Sequence, residues 1–301
     1  MKKSLITLGV LALFVLMAYG QEKKFALYSV AFYNMENLFD TIHDEGKNDY
    51  EYLPNGTNQW NTMKYKAKLK NMSEILSMLS TDKLPMGPAI IGVSEIENYR
   101  VLEDILKQPA LADRGYQYVH YEGADQRGVD CAFFYNPKLF ELTNSKLVPY
   151  VYINDTVHKT RGFLIASGNI AGEKMHFIVN HWPSRAAASP VRERAGEQVR
   201  AIKDSLLRED SAAKIVIMGD MNDDPMDKSM AVALGAKRKP ADVGPTDLYN
   251  PWWDTLKKGY GTLMYKGKWN LFDQIVFTGN LLGTDRSTLK FYKHEIFRRD
   301  F

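Results

Sequence analysis

Five apolar runs of this 301-residue sequence stop at a carboxylate, an amide or a histidine: Asn34-Met35-Glu36-Asn37, Ser94-Glu95-Ile96-Glu97-Asn98, Asn180-His181-Trp182, Gly219-Asp220-Met221-Asn222 and Phe272-Asp273-Gln274. Sheet proteins gather their sites at one end of the strands, where loops bring side chains from several elements together. Carboxylates, amides and one histidine, without a cysteine cluster, form a hard oxygen-rich donor set that suits Mg²⁺ or Mn²⁺. One Asp or Asn at a strand end is ordinarily a turn former. Five such ends in one chain point to a site.

The elements that must carry these residues are legible from periodicity. Phe25 to Tyr33 alternates apolar and polar residues and reads as a strand ending at Asn34. Asp40 to Asn61, with Gly46, Pro54 and Gly56, reads as a long solvated loop whose acids repeat no calcium-ligand spacing. Tyr65, Leu69, Met72, Leu76 and Leu79 form one apolar helical stripe, and a second helix is expected from Tyr99 to near Pro109. Ala89 to Val93 and Lys214 to Met218 read as short buried strands. Tyr116 to Tyr121, Val129 to Tyr135 and Leu139 to Ile153 also read as strands, with turns at Gly123 and Asn136-Pro137. Phe163 to Asn169 and Lys174 to Asn180 form a hairpin around Ala171-Gly172, and Val191 to Leu206 carries another helical stripe. Gly261 to Tyr265 and Trp269 to Thr278 are expected to pair as a second hairpin. Strands and helices mix throughout, with no repeat and no linker, so one α/β domain with a mixed sheet system is expected.

Composition narrows the function further. A chain that is 45% apolar and 25% charged folds around a core and is neither disordered nor collagen-like. The balance of 39 basic and 36 acidic residues leaves no strong global field, so any phosphate recognition must be local. The single cysteine, Cys131, cannot form an internal disulfide and sits in an apolar run as an inert buried thiol. Met1-Lys2-Lys3, the apolar run Leu5 to Met17 and the small residues Ala18 and Gly20 read as a bacterial secretory signal cleaved after Gly20. The run is short for a span of ~30 Å of hydrocarbon, and no cysteine follows it for lipidation. Export to the periplasm or beyond is expected.

With these residues in view, the sequence resembles the endonuclease/exonuclease/phosphatase (deoxyribonuclease I-like) family, as a secreted bacterial member. The matching stretches are Phe32-Tyr33-Asn34-Met35-Glu36-Asn37-Leu38-Phe39, Gly92-Val93-Ser94-Glu95-Ile96-Glu97-Asn98, Arg127-Gly128-Val129-Asp130, Val179-Asn180-His181-Trp182, Gly219-Asp220-Met221-Asn222-Asp223 and Leu271-Phe272-Asp273-Gln274-Ile275. They run in the family's order over nearly the whole mature chain. The resemblance implies a four-layer α/β sandwich: two packed mixed β-sheets flanked by helices, with a metal-dependent phosphoester hydrolase site at their common edge. It places Glu95 and Asn34 at the metal, which would be Mg²⁺, with Mn²⁺ or Ca²⁺ as alternatives. Glu97, two residues on, is expected to point away. Asp220 would orient or deprotonate the attacking water, Asn222 and His181 would hold the scissile phosphate, and Asp273 would orient a catalytic histidine. Arg161 matches an arginine that contacts phosphate. Arg185, Arg192, Arg194 and Arg200 are interleaved with Glu193 and Glu197 and read as a mixed solvated face.

The family's closing Ser-Asp-His motif is absent from this sequence. After Asp273 the only histidine is His294, with no aspartate before it. Truncation, with loss of the last core strand, is expected in preference to substitution by His294, and a truncated sheet would keep an unpaired edge. The expected activity is an endonuclease or phosphodiesterase working by in-line water attack. The alternative is a catalytically impaired or non-catalytic secreted binding protein of the same fold. The substrate class is a nucleic acid, a phospholipid or an inositol phosphate. Tyr249 to Trp253 offers aromatic residues for nucleic acid, and core packing would explain them equally well. No stable protein partner is implied, and a monomer is expected.

Overall fold

Strands with apolar side chains on both faces have to be covered on both faces, and that requirement stacks this chain in layers. The computed structural model describes residues 25–153 and 155–299, so the expected secretory signal, residues 1–20, lies outside the described residues. β1 (Val30–Leu38), β2 (Ile90–Ile96), β3 (Gln117–His120) and β4 (Asp130–Tyr135) form a sheet in the order β1-β2-β4-β3. β1 and β2 run parallel, and β4 is antiparallel to both its neighbours. The second sheet begins with β5 (Glu141–Val148), β6 (Phe163–Ile170), β7 (Glu173–His181) and β8 (Lys214–Asp220), followed by the short β9 (Ala236–Lys237) and β10 (Leu248–Tyr249). A small hairpin, β11 (Leu263–Tyr265) with β12 (Lys268–Asn270), belongs to neither sheet. The chain then enters the second sheet as β13 (Asp273–Thr278), giving the order β5-β6-β7-β8-β13-β10-β9. β7 and β8 are parallel, and β13 is antiparallel to β8 and β10.

Side chains alternate across each strand, and the alternation separates the core into layers. Phe133 on β4, Phe177 and Val179 on β7, and Val216 and Met218 on β8 fill the space between the sheets. Phe133, Phe140 and Phe177 meet there with ring centroids 5.6 to 5.8 Å apart. The alternate residues Ile91, Val93, Ala132 and Phe134 face α1 (Thr62–Met78) and α2 (Tyr99–Leu106). On the far side, Ile178, Ile215 and Ile217 face Ala195, Val199 and Leu206 as part of a helix described below. Gly92 lets the two sheets approach, since a Cβ there would lie 2.5 Å from Met218 Sδ. The result is an α/β sandwich of helix, sheet, sheet and helix, as the resemblance implied.

The predicted helical stripe of Tyr65, Leu69, Met72 and Leu76 is the buried face of α1, and Asn61 caps it by accepting from Lys64 N. α2 stops at Leu106, and Pro109 opens a separate short α3 (Pro109–Ala112) as a first-turn proline. α4 (Ser189–Glu209) is the helix that covers the second sheet, and the short α5 (Trp253–Lys257) precedes the hairpin. Three boundaries differ from the sequence reading. β1 begins at Val30 and runs through the polar motif to Leu38, because its partner β2 continues to Ile96. β5 ends at Val148, before Pro149, which has no N–H for the ladder. The stretch from Trp269 to Thr278 is not one strand: Leu271 is buried and donates its N–H to Asp224, splitting β12 from β13. The expected loop Asp40 to Asn61 has three of its acids tied down. Arg100 bonds Asp40 and Asp44, and His43 pairs with Asp49.

Candidate active site

The parallel pairs β1–β2 and β7–β8 end at one edge of the sandwich, and β13 starts there. Asn34 lies opposite Ser94 in the first sheet, while His181 lies opposite Asp220, and Asp220 opposite Asp273, in the second. The two sheets meet through Asn34, whose amide donates to Glu95 Oε1 at 3.2 Å and to Asp220 Oδ2 at 3.0 Å. His181 Nε2 is 3.6 Å from Glu95 Oε1 and 3.9 Å from Asp220 Oδ2. One ligand atom from each of Glu95, His181 and Asp220 lies within 4.8 Å of the others.

Irregular backbone aims these groups. The ladder between β2 and β4 slips between Ser94 and Ile96, and Glu95 sits at the slip with φ of 59°. A left-handed residue in a bulge turns its side chain out of the alternation, and the strain persists only where the surroundings fix it. β1 slips beyond Asn34, with Glu36 and Asn37 also left-handed, and Lys68 from α1 holds this bulge by donating to the carbonyls of both. Asn222 is a fourth left-handed residue. Its N–H donates to Asp220 Oδ1 at 2.9 Å and its amide to the Trp182 carbonyl at 2.9 Å. Gly219 is required behind them, because a Cβ there would meet the Asn180 carbonyl at 2.2 Å.

Arg161, two residues before β6, is buried. Its Nη1 donates to Asp125 Oδ2 at 3.0 Å and its Nη2 to the Trp182 carbonyl at 3.0 Å. The carbonyl that receives Asn222 therefore also receives Arg161, so the guanidinium braces the His181–Trp182 turn from behind. Asp125 gave no signal in the sequence, since the partner is joined to Arg161 only by the fold. Glu97 faces away from the cluster, accepts from Asp40 N at 2.8 Å, and is pushed up to about 8 by burial. Asn98 caps α2 by accepting from Arg100 and Val101, and Asn180 ties β7 to β8 through the Met218 carbonyl; both are structural members of their motifs.

Electrostatically the edge is negative, and His181 and Asp220 are buried in it. Burial, then Arg161 and Arg127, hold His181 well below the usual histidine range, so its imidazole is neutral. Burial, then repulsion from Glu95, pushes Asp220 upward, and burial, then repulsion from Asp220, pushes Asp273 upward. Among the described residues no lysine or arginine pairs with Glu95 or Asp220. The buried polar atoms that lack partners among these residues are Ser94 Oγ, Arg161 Nε, His181 Nδ1 and Asp273 Oδ1. Two carboxylates and an imidazole nitrogen converging without a compensating ammonium or guanidinium fit a divalent cation. A second group, His120, Glu122 and Asp130, also comes together. There Asp130 already accepts from Gly123 N and pairs with His120, and Lys47 lies 3.7 Å from Glu122.

The sequence model of the Endonuclease/Exonuclease/phosphatase family matches residues 29–301, which takes in every element of this edge. The chain belongs to that family. No curated protein matches the sequence. Among solved structures, a humanized Danio rerio TDP2 is similar at 14% identity and a TM-score of 0.52, with 82% of this chain and 81% of that one covered. ANGEL2, described as a 2′,3′-cyclic phosphatase, is similar at 11% identity and a TM-score of 0.54, covering 74% and 75%. A structure of ANGEL2 with adenosine-2′,3′-vanadate is similar at 12% identity and a TM-score of 0.52, covering 72% and 74%. These likenesses are likenesses of fold.

One group of residues behaves otherwise than its interleaved charges led one to expect. The arginines after His181 are not one solvated face. Arg192 is buried in an ion pair with Asp223 at 2.9 Å, and Arg185 bonds Asp223, Asp224 and Asp227 and lies 4.4 Å over the Phe272 ring. The Tyr249–Trp253 segment is no open platform: Tyr249 packs on Phe277 and Phe291, and Trp252 is buried. His294 bonds Thr255 and packs on Trp252 and Phe291, so its ring is committed away from Asp273.

Proposed function

We propose that this chain is a metal-dependent phosphoester hydrolase, an endonuclease or phosphodiesterase, that uses water as its nucleophile. The observation that carries the reading is the single edge at which Glu95, His181 and Asp220 converge around the Asn34 amide. Glu95 and Asn34 would hold Mg²⁺, with Mn²⁺ or Ca²⁺ as substitutes. A divalent cation bound there supplies positive charge to a phosphoryl oxygen and lowers the pKa of a coordinated water. Asp220, fixed by Asn34 and the Asn222 N–H, orients the attacking water and receives its proton. Neutral His181 presents Nε2–H to a non-bridging phosphate oxygen, where charge grows in the transition state. The Asn222 amide keeps one N–H for the same phosphate, since the other is given to Trp182. Arg161 contributes by holding that carbonyl and by its charge. Asp273 offers its unpartnered oxygen to a proton donor on the leaving-group side.

The adenosine-2′,3′-vanadate complex of ANGEL2 supports a nucleotide phosphoester as the first substrate class to try, ahead of phospholipids and inositol phosphates. Residues 1–20 support export as the compartment, and we take the working unit to be a monomer. One observation favours a second reading, a binding protein without turnover: His294 is engaged elsewhere, and Asp273 lacks a histidine partner. Hydrolysis of bis-p-nitrophenyl phosphate and of plasmid DNA separates the two. Turnover that needs Mg²⁺, stops with chelator, and is lost in Glu95→Ala and His181→Ala supports the hydrolase. A folded wild-type chain that cuts neither substrate leaves the second reading.

A further inference from the structure

The β11–β12 hairpin is a feature beside the active edge that the catalytic reading leaves without a task. A two-residue turn closes it at Lys266 and Gly267, both left-handed, as tight hairpins require. Residues from Lys257 to Phe272 include four lysines and no acid. Register pairs Tyr265 with Lys268 and Leu263 with Asn270, which puts these four on one face, and Met264 with Trp269 on the other. Tyr265 is 61% exposed, more than Trp269 at 42% on the other face. Among the described residues neither Lys266 nor Lys268 meets a carboxylate, and Lys266 Nζ lies 5.2 Å over the Tyr265 ring.

The hairpin is anchored to the site at its base. Thr262 Oγ1 accepts from the N–H groups of Phe272 and Asp273, each at 3.2 Å. Arg185 donates Nη1 to Asn270 Oδ1 at 3.1 Å and Nε to the Asn222 carbonyl at 3.2 Å. The face that carries Tyr265 and Lys268 is therefore the face whose Asn270 is braced to the phosphate-holding turn. An aromatic ring with an unpaired ammonium beside it matches the repeating chemistry of a single strand, in which each base has a π-face and each linkage an anion. Three residues of strand at about 3.3 Å each give roughly 10 Å, enough for one or two bases. A bilayer is a poorer occupant, because the tip that would enter it is Lys266-Gly267-Lys268, and ammonium groups are costly in hydrocarbon.

We propose that the Tyr265–Lys268 face of this hairpin is a stacking arm for a single-stranded polynucleotide whose phosphate reaches the Glu95–His181–Asp220 edge. The proposal rests on the phosphoester reading above and names its substrate class. The test is fluorescence anisotropy of a labelled single-stranded oligothymidylate decamer with the full chain, in chelator so that nothing is cut. Bis-p-nitrophenyl phosphate hydrolysis with Mg²⁺ is measured on the same proteins, and co-sedimentation with phosphatidylcholine/phosphatidylglycerol vesicles is a third arm. Tyr265→Ala is expected to weaken the oligonucleotide about tenfold, about 1.4 kcal/mol, within the range for one base on one ring. Lys268→Gln should reduce the slope of log affinity against log salt by about 0.7. Neither change should alter hydrolysis of the small diester, and Trp269→Leu on the opposite face should stay within about twofold. Unchanged oligonucleotide affinity in Tyr265→Ala overturns the proposal, as does a greater loss in Trp269→Leu or a loss confined to vesicles. A wild-type chain that fails to cut the small diester, while Tyr265→Ala still weakens the oligonucleotide, overturns the hydrolase reading and supports the arm.

Discussion

Substituting Asp125 by Ala would show how much of the active edge depends on a charge pair behind it. Arg161 is 8% exposed, and Asp125 is the only carboxylate its guanidinium meets among the described residues. Removing that carboxylate leaves a buried cation bonded to the Trp182 carbonyl and the Thr160 hydroxyl alone. Breaking one side of a buried pair costs about 3–5 kcal/mol, whereas an exposed pair is worth ~0–1 kcal/mol. With a urea m-value of roughly 3 kcal/mol per molar, the unfolding midpoint should fall by about 1–2 M. Turnover should fall as well at temperatures where the variant stays folded, because the carbonyl that Arg161 steadies also accepts from Asn222. The double variant Asp125→Leu/Arg161→Met removes both charges and should recover most of the lost stability. A midpoint shift corresponding to less than about 1 kcal/mol in Asp125→Ala would refute the reasoning, since the pair would then be solvated. If Arg161 acts instead by gripping substrate phosphate, Arg161→Met would raise KM with stability almost unchanged.

Three further outcomes follow from the same structure. Asn222→Ala should lower kcat for diester hydrolysis by about 10²–10³, the usual effect of removing one donor to a developing oxyanion, with far-UV circular dichroism unchanged. Gly92→Ala places a methyl against Met218 and Val179 between the sheets and should cost about 1–3 kcal/mol in urea unfolding; no loss would mean that the sheets can separate freely. His176 is buried against Ser167, and burial, then Lys174, lower its pKa from the ordinary value of 6.5. The unfolded chain therefore binds the proton more readily, so the stability His176 contributes is present above about pH 6.5 and is lost as pH falls below it. His176→Gln should flatten the decline in unfolding midpoint between pH 7.5 and 5.5, and an identical slope in the two proteins would remove His176 as its source.

The parts of the fold that could be read from the sequence are those set by local periodicity. The 4, 3, 4 spacing of Tyr65, Leu69, Met72 and Leu76 recurs as the buried face of α1, and the continuous apolar runs of β2 and β8 are strands covered on both sides. Boundaries were less legible where the limit came from a partner. β1 extends to Leu38 because β2 continues alongside it, and Trp269 to Thr278 divides because Asp224, from another loop, captures Leu271. Tyr249 and Trp252 show the same dependence. Their types fit a binding platform, and only packing against Phe277, Phe291 and the β13 backbone identifies them as interior.

Residue type and order along the chain by themselves determined which groups are available for chemistry: Asn34, Glu95, His181, Asp220, Asn222 and Asp273 follow strand-forming runs, and strand ends collect at sheet edges. Tertiary structure alone decided which of those groups touch. Asn34 and Asp220 are 186 residues apart in the chain and 3.0 Å apart in space. It also supplied the reason that Glu95 and not Glu97 faces them, as the family resemblance implied: a bulge with a left-handed residue at Glu95. It decided, too, that Arg161 is spent on Asp125. The physical reason is that alternation and helical periodicity act over a few residues. The direction of a bulged side chain and the partner of a buried charge are fixed by whatever the packed sheets bring within bonding distance.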